Sequence, residues 1–348
     1  MATRWLRRLG TKRSGFRYAD ETGRLVRDRR SLERIEALRV PPAWRDVRIA
    51  ASPRNRIQAW GYDARNRKQY RYHERAVEHR ELRKYYRVGE LAKSLPKMRT
   101  ILREDAAHRE LTRQTVAATV LRLISESFCR VGGERYAREN GTYGITTLRK
   151  KHVSIEGDCV VLSYLGKSNK RQRQVVVNRE LAKLVARQLK APGTRLFRYR
   201  NPDGSWCDLN ARDVNNYLHD RLGPHFSAKD FRTWGGTLRA ATVLAEIGPA
   251  RNEREAKRNV ALAMRLVSSE LGNTPTICRK SYVHPMVVAR YIDEGDTIAL
   301  PAARRVASDR GQAHSPEERA LIAFLDRHFP ERRRKPRRAD GENERRAA

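Results

Sequence analysis

Residues 278–285 read CRKSYVHP, placing Tyr282 two residues after the cationic pair Arg279 and Lys280 and three before Pro285, a residue that would stop a helix. A phenol ionises near pH ~10, so a tyrosine attacks as a nucleophile where neighbouring positive charge favours its phenolate. The ordinary alternative is a half-buried packing residue with a wet hydroxyl. Three other segments carry cations of the kind such a nucleophile would need: Arg130 in ESFCRVGGERY, Lys167 in YLGKSNKRQ and Arg232 in KDFRTWGGT. An arginine fork can hold two phosphate oxygens at once, and a lysine can donate a proton. Taken singly, each has a plainer role: a charge at a helix end, a turn residue, and a partner for the neighbourhood of Asp230.

The whole chain carries the charge of a polyanion binder. Its 348 residues contain 75 Lys plus Arg against 40 Asp plus Glu, a formal net charge of +35 with a pI near 10.9, far beyond what solubility asks. Only 15 of the 75 are lysine; the arginine fork suits phosphates and base edges, although a GC-rich genome would raise the arginine share too. LGKSNK imitates the end of a phosphate-binding P-loop, but that motif needs a glycine where Val161 stands, so no nucleotide hydrolysis and no nucleotide cofactor is expected. Cys129, Cys159, Cys207 and Cys278 lie far apart without a C-x-x-C pair, against a zinc site or a disulfide framework. No stretch approaches the ~20 apolar residues of a membrane span, and MATRWLRRLG lacks the apolar core of a signal peptide, so a cytoplasmic location is expected.

These residues need elements to hold them, and the length suggests two domains. Residues 1–75 read as a small β-rich N-terminal domain with one helix at Ser31 to Leu38, stopped by Pro41 and Pro42. Within it, residues 60–76 interleave Tyr62, Tyr70 and Tyr72 with Arg65, Arg67, Lys68 and Arg71, a pattern that suits a nucleic-acid surface and equally suits half-buried strand aromatics. Residues 76–330 read as a larger, mainly helical domain. Val116, Val120, Leu123, Ile124 and Phe128 fall on one helical stripe. HVSIEGDCVVLSYLGKSNKRQRQVVV reads instead as a β-meander, with Lys167 in its second turn. Helices are expected again over 179–190, 211–221, 229–247 and 252–271, and over 316–328 behind a capping box of Ser315 and Glu318. The end, 331–348, has eight basic and four acidic residues without apolar periodicity and reads as a disordered tail that adds salt-dependent affinity.

In order and spacing, ESFCRVGGERYARENGTYGITTLRKKHV, YLGKSNKRQRQVVV, KDFRTWGGTLRAA and LGNTPTICRKSYVHP resemble the successive signature segments of the type IB DNA topoisomerases, above all the compact poxvirus-like enzymes that also occur in bacteria. The resemblance spans roughly residues 55–295. It implies an α+β fold in which a β-rich N-terminal domain and a mainly α catalytic domain with the embedded meander form a C-shaped clamp on double-stranded DNA, and an enzyme that works as a monomer. It implies Tyr282 as the nucleophile of a 3'-phosphotyrosyl link that releases a 5'-hydroxyl strand to swivel, relaxing supercoils. Arg130 and Arg232 match the two arginines that stabilise the transition state, and Lys167 matches the general acid for the leaving 5'-oxygen. The bond energy kept in the phosphotyrosyl link makes ATP unnecessary, and three cations on the phosphate make a metal unnecessary.

Asn273, nine residues before Tyr282, departs from the pattern, since poxvirus and eukaryotic enzymes have histidine there. Its amide can donate to a phosphate oxygen but cannot shuttle a proton; it also reads as a helix cap before Thr274 and Pro275. His284 reads as a cap or surface residue. The resemblance raises Gln69, Tyr70, Tyr72, Arg135 and Tyr136 as DNA contacts, while Lys229, Arg279 and Lys280 are cations expected on backbone phosphates, with a solvated face as the alternative. Gly133 replaces a lysine of the poxvirus enzyme, so that enzyme's site preference is not expected. Two other readings remain: a tyrosine recombinase, which typically carries His-x-x-Arg where this chain has Lys229-x-x-Arg232, and a noncatalytic basic DNA- or RNA-binding protein.

Overall fold

The computed structural model describes residues 3–223, 225–300 and 313–329. Its contacts divide the α+β chain into one unit up to Lys84 and a second from Tyr85 onward, whereas the sequence places the change at 75/76, where helical periodicity begins. The stretch read as a tail, 331–348, lies outside the described residues.

The first unit is an antiparallel sheet of β1 (Trp5–Thr11), β2 (Gly15–Ala19), β3 (Arg45–Ala50), β4 (Ile57–Tyr62) and β5 (Lys68–Tyr72), in the order β2-β1-β3-β4-β5. The alternation of each strand sends Leu6, Val47, Ile49 and Ala59 to one face. There they pack with Ile35 of α1 (Arg29–Ala37), a helix capped by Asp28, whose carboxylate accepts from Ser31 N. On the opposite face, register aligns Arg7, Arg48, Trp60 and Tyr70 in one row across four strands. Lys68 Nζ stands 3.9 Å from the Trp60 ring centre, and the rings of Tyr70 and Tyr72 stack at 5.9 Å.

Helix α2 (Glu74–Ala107) continues into the second unit, where Val88, Leu91, Leu95, Met98 and Leu102 enter the main core. At the centre of that core is α3 (Arg113–Ser127). Every residue from Thr115 to Leu121 is buried, so the expected one-sided stripe is a helix covered almost all round. Phe128, counted on that stripe, is instead the left-handed C-cap (φ 51°). Then follow α4 (Glu134–Asn140) and the meander β6 (Val153–Glu156), β7 (Cys159–Gly166) and β8 (Lys170–Val177), in the order β6-β7-β8. Next come α5 (Arg179–Leu189), the short hairpin β9 (Arg198–Arg200) and β10 (Trp206–Asp208), and α6 (Ala211–Leu222). The last helices are α7 (Ala228–Ile247), α8 (Glu253–Leu271), α9 (Pro275–Tyr282), α10 (Pro285–Glu294) and α11 (Pro316–His328).

Two ion pairs, each with a buried carboxylate and a partly exposed arginine, fix this bundle. Asp230, in the first turn of α7, receives both a capping-box bond from Ser227 and the fork of Arg87 from α2, at 3.0 and 2.8 Å. Glu318 plays the same part for α11, receiving Arg99 at 3.0 and 2.7 Å. A charge buried this deeply is held only where its partner stays, and removing one arginine would cost about 3–5 kcal/mol. Asp230 therefore pairs with Arg87 and leaves Arg232 free to point elsewhere. Among the described residues no helix is long and apolar enough to cross a membrane.

Candidate active site

Tyr282 is the last residue of α9. Thr274 caps the start of that helix, its hydroxyl accepting from Ile277 N, and Pro275 occupies the first turn. Asn273, read as the cap, is not: its side chain is engaged elsewhere. After Tyr282 the backbone turns extended at Val283 and His284, as a residue preceding proline must, and His284 caps α10 with Nδ1 accepting from Met286 N. This corner is pinned from three sides. Thr237 Oγ1 lies 3.3 Å from Tyr282 O and accepts from His284 N at 3.1 Å, while the Tyr85 hydroxyl donates to Val283 O at 3.0 Å. α7 approaches so closely that a Cβ on Gly236 would lie 2.7 Å from Tyr282 O.

Arg232, one turn earlier on α7, is 4% exposed, and its guanidinium carbon stands 5.0 Å from the centre of the Tyr282 ring. It donates to Phe128 O, exposed by the left-handed cap of α3, and to Leu271 O at 2.8 Å. Arg130 donates to the same Leu271 carbonyl at 3.4 Å and to Asn273 Oδ1. That carbonyl ends α8, where helix carbonyls lack intrahelical partners and the helix dipole is negative. Two like-charged forks are thus drawn to one spot by a backbone acceptor rather than by a carboxylate that would neutralise them.

Lys167 follows β7 in the turn to β8, where Ser168 and Asn169 are both left-handed (φ 64° and 56°), and it is exposed. Lys229 Nζ is 6.0 Å from the Tyr282 ring centre. Arg130, Lys167, Lys229, Arg232 and Tyr282 line one cleft of about 320 Å³, together with Tyr136 and Tyr143. Beside it, Asn273 Nδ2 and Arg232 Nε are buried donors without an acceptor among the described residues. Buried donors are ordinarily paired, so a cationic cleft with two orphans is prepared for an anion. Burial pushes the Tyr282 phenol up, but Arg232, Arg130 and Lys229 outweigh it and bring its pKa below the ordinary value. Burial and then Arg130 pull Arg232 down. Among the described residues no three His, Cys, Asp or Glu side chains gather as metal ligands would.

The other expected contacts are spread more widely. Arg135 pairs with Glu139 on the surface of α4, and Arg279 and Lys280 are exposed on α9. Gln69 donates to Asp63 at 3.0 Å within the first unit, beside Tyr70 and Tyr72. Sequence reasoning missed Gly236, Thr237 and the Leu271 carbonyl. A glycine doublet inside the α7 pattern was the available signal for the first of these, since helix glycines are costly unless something approaches closely; a backbone carbonyl leaves no such mark.

Comparison with known proteins identifies the family. Residues 67–301 match the family described as eukaryotic DNA topoisomerase I, catalytic core, and residues 15–63 match the bacterial DNA topoisomerase IB, N-terminal domain. DNA topoisomerase 1B of Acanthamoeba polyphaga mimivirus is 35% identical over 261 residues, covering 73% of this chain and 78% of that protein. DNA topoisomerase 1B of vaccinia virus (strain Copenhagen) is 23% identical over 239 residues, covering 67% and 72%. Among solved structures, the site-specific recombinase XerH bound to its difH substrate aligns with a TM-score of 0.34 at 15% identity, over 55% of this chain and 49% of that one, a likeness too slight to argue from. The chain belongs to the type IB DNA topoisomerases, a family of isomerases.

Proposed function

We propose that this enzyme relaxes supercoiled duplex DNA through a 3'-phosphotyrosyl intermediate on Tyr282. The phenolic oxygen attacks a backbone phosphorus, its proton leaving to solvent. The bond from phosphorus to the 5'-oxygen breaks, and Lys167 passes a proton to that oxygen. The freed strand swivels; then its 5'-hydroxyl attacks the phosphotyrosine, returns a proton to Lys167 and expels the phenolate. Arg130, Arg232 and the amide of Asn273 hold the nonbridging oxygens as negative charge grows on them, the term that usually dominates such catalysis.

The observation that carries this reading is the placing of Tyr282 among cations that no carboxylate among the described residues neutralises, with Asn273 Nδ2 and Arg232 Nε lacking acceptors there too. Since the cations supply the charge stabilisation and the covalent link conserves the bond energy, the reaction needs neither divalent metal nor nucleotide. One chain supplies every group named, so a monomer suffices, and its place is on the chromosome in the cytoplasm. Lys229, Arg279, Lys280 and Arg135 contact phosphates, Tyr136 the scissile region, and Gln69, Tyr70 and Tyr72 the duplex through the first unit.

The test is relaxation of negatively supercoiled plasmid in EDTA without ATP, wild type beside Tyr282→Phe. The wild type relaxes the plasmid and the variant, which keeps the ring and loses the nucleophile, does not. Relaxation by both would remove Tyr282 from the chemistry, and a gel shift by both without relaxation would leave only a DNA-binding protein.

A further inference from the structure

Lys167 sits in the turn of a β-hairpin, whereas Tyr282 ends α9, Arg232 lies within α7, and Arg130 and Asn273 follow the ends of α3 and α8. Yet a general acid must lie within hydrogen-bond reach of the departing oxygen to help. Lys167 itself has no hydrogen bond or ion pair to any described residue, so its position depends on what holds the β7–β8 hairpin.

The residues on either side of it are held. Lys170, at the first position of β8, reaches across to donate from Nζ to Asn273 O at 2.9 Å. The side chain of Gln172, only 7% exposed, is wedged between two glycines. A Cβ on Gly166, the residue before Lys167, would lie 2.8 Å from Gln172 Cγ, and a Cβ on Gly272 would lie 2.1 Å from Gln172 Oε1. Gly272 is also the left-handed cap of α8 (φ 63°), a conformation that favours glycine. β7 is tied as well, Tyr143 N donating to Leu165 O at 2.7 Å, in the loop whose Ile145 N donates to Arg130 O at 2.8 Å. Asn273 is therefore a junction: its side chain accepts from Arg130 and its carbonyl accepts from Lys170.

Resting on the reading of Lys167 as the acid, we propose that Lys170 is a positioning residue, which with Gln172 docks the β7–β8 hairpin on the Gly272–Asn273 corner and so sets Lys167 against the 5'-oxygen. The residues that hold the phosphate and the residue that protonates its leaving group are then one connected frame. Lys170 acts through Lys167 and contributes no proton of its own.

The test exploits the leaving group. A sulfur in place of the bridging 5'-oxygen departs as a thiolate without being protonated, so a defect confined to proton delivery disappears on that substrate. Single-turnover cleavage is measured on a duplex carrying a site mapped with the wild-type protein, in ordinary and 5'-phosphorothiolate forms. The proteins are wild type, Lys167→Ala, Lys170→Met, the double variant and Gln172→Ala. Methionine keeps most of the lysine stem without its ammonium. Lys170→Met is expected to slow ordinary cleavage about 10²-fold, the scale of a misplaced catalytic group. On the sulfur substrate it should return to within about threefold of wild type, and adding it to Lys167→Ala should cost nothing further. Gln172→Ala should show the same selective rescue and serves if Lys170→Met does not fold.

Equal slowing on both substrates, additive loss in the double variant, or no loss on ordinary DNA would each overturn the proposal. If Lys167→Ala is not rescued by sulfur, the acid assignment itself fails and the proposal with it. If Lys167→Ala is rescued and Lys170→Met is not, the positioning role alone falls.

Discussion

Burial by itself drives the Tyr282 phenol toward a higher pKa, and only the summed field of Arg232, Arg130 and Lys229 reverses the direction. That balance has a measurable sign. The folded phenol releases its proton below the value of about 10 that it has in the unfolded chain. Between the two values the unfolded state binds more protons, so this residue adds stability as pH rises through that window. Replacing Arg232 by methionine keeps the buried volume and removes the nearest cation. The phenol then moves up from its wild-type value, and the stability gained as pH rises through that window shrinks. The check is ultraviolet phenolate absorbance against pH, taken as the difference between each protein and its Tyr282→Phe counterpart. A Tyr282 titration unchanged in Arg232→Met would mean that Arg232 does not tune the nucleophile.

Helix packing explains how residues so far apart in sequence meet, and it turns on the approach of α7 to α9. An alanine at Gly236 would place its Cβ 2.7 Å from Tyr282 O and 3.1 Å from Leu271 Cδ1. α9 has to shift, at about 1–3 kcal/mol for overpacking, with cleavage falling about 10²-fold for a displacement near ~1 Å. Gly89 in α2 supplies the control, since no atom of the described residues lies within 4 Å of its added Cβ. There the same substitution should stabilise by about 0.5–1 kcal/mol through helix propensity and leave cleavage unchanged. Thermal unfolding with single-turnover cleavage of both variants separates the cases; a harmless Gly236→Ala would mean that α9 is not seated by α7. The same contrast shows what sequence could convey. Helices α5 to α8 and α11 announced themselves through caps and periodicity, and the meander through alternation. The hairpin β9–β10 has three-residue strands, too short for any period to register. Asn273 looked like a cap because asparagine caps helices, but Arg130 occupies its oxygen and Thr274 takes the cap instead. The four ionisable residues that line the cleft were legible because the chemistry proposed for them needs particular side chains. The carbonyl of Leu271, which gathers two arginines, was not, because every residue has one.

At the scale of the whole chain, a formal charge of +35 has to be read through salt. Each phosphate neutralised on duplex DNA releases counterions and adds about −0.9 to the slope of log affinity against log salt. Residues 331–348 carry eight basic and four acidic side chains. If they contact DNA by charge alone, deleting them lowers the magnitude of the slope by at most about 7, the value if all eight cations each neutralised a phosphate. The single-turnover cleavage rate of DNA already bound stays the same, because Tyr282, Arg130, Arg232 and Lys167 are untouched. Arg232→Met should behave in the opposite way, slowing cleavage about 10²–10³-fold as the loss of one preorganised donor does, with a slope changed by no more than about 1. Binding isotherms across a salt series, paired with cleavage of saturated duplex, place the two variants on separate axes. A deletion that slows cleavage at saturation would show that the terminal residues reach the reacting phosphate, and a deletion that leaves the slope unmoved would show that they do not touch DNA at all.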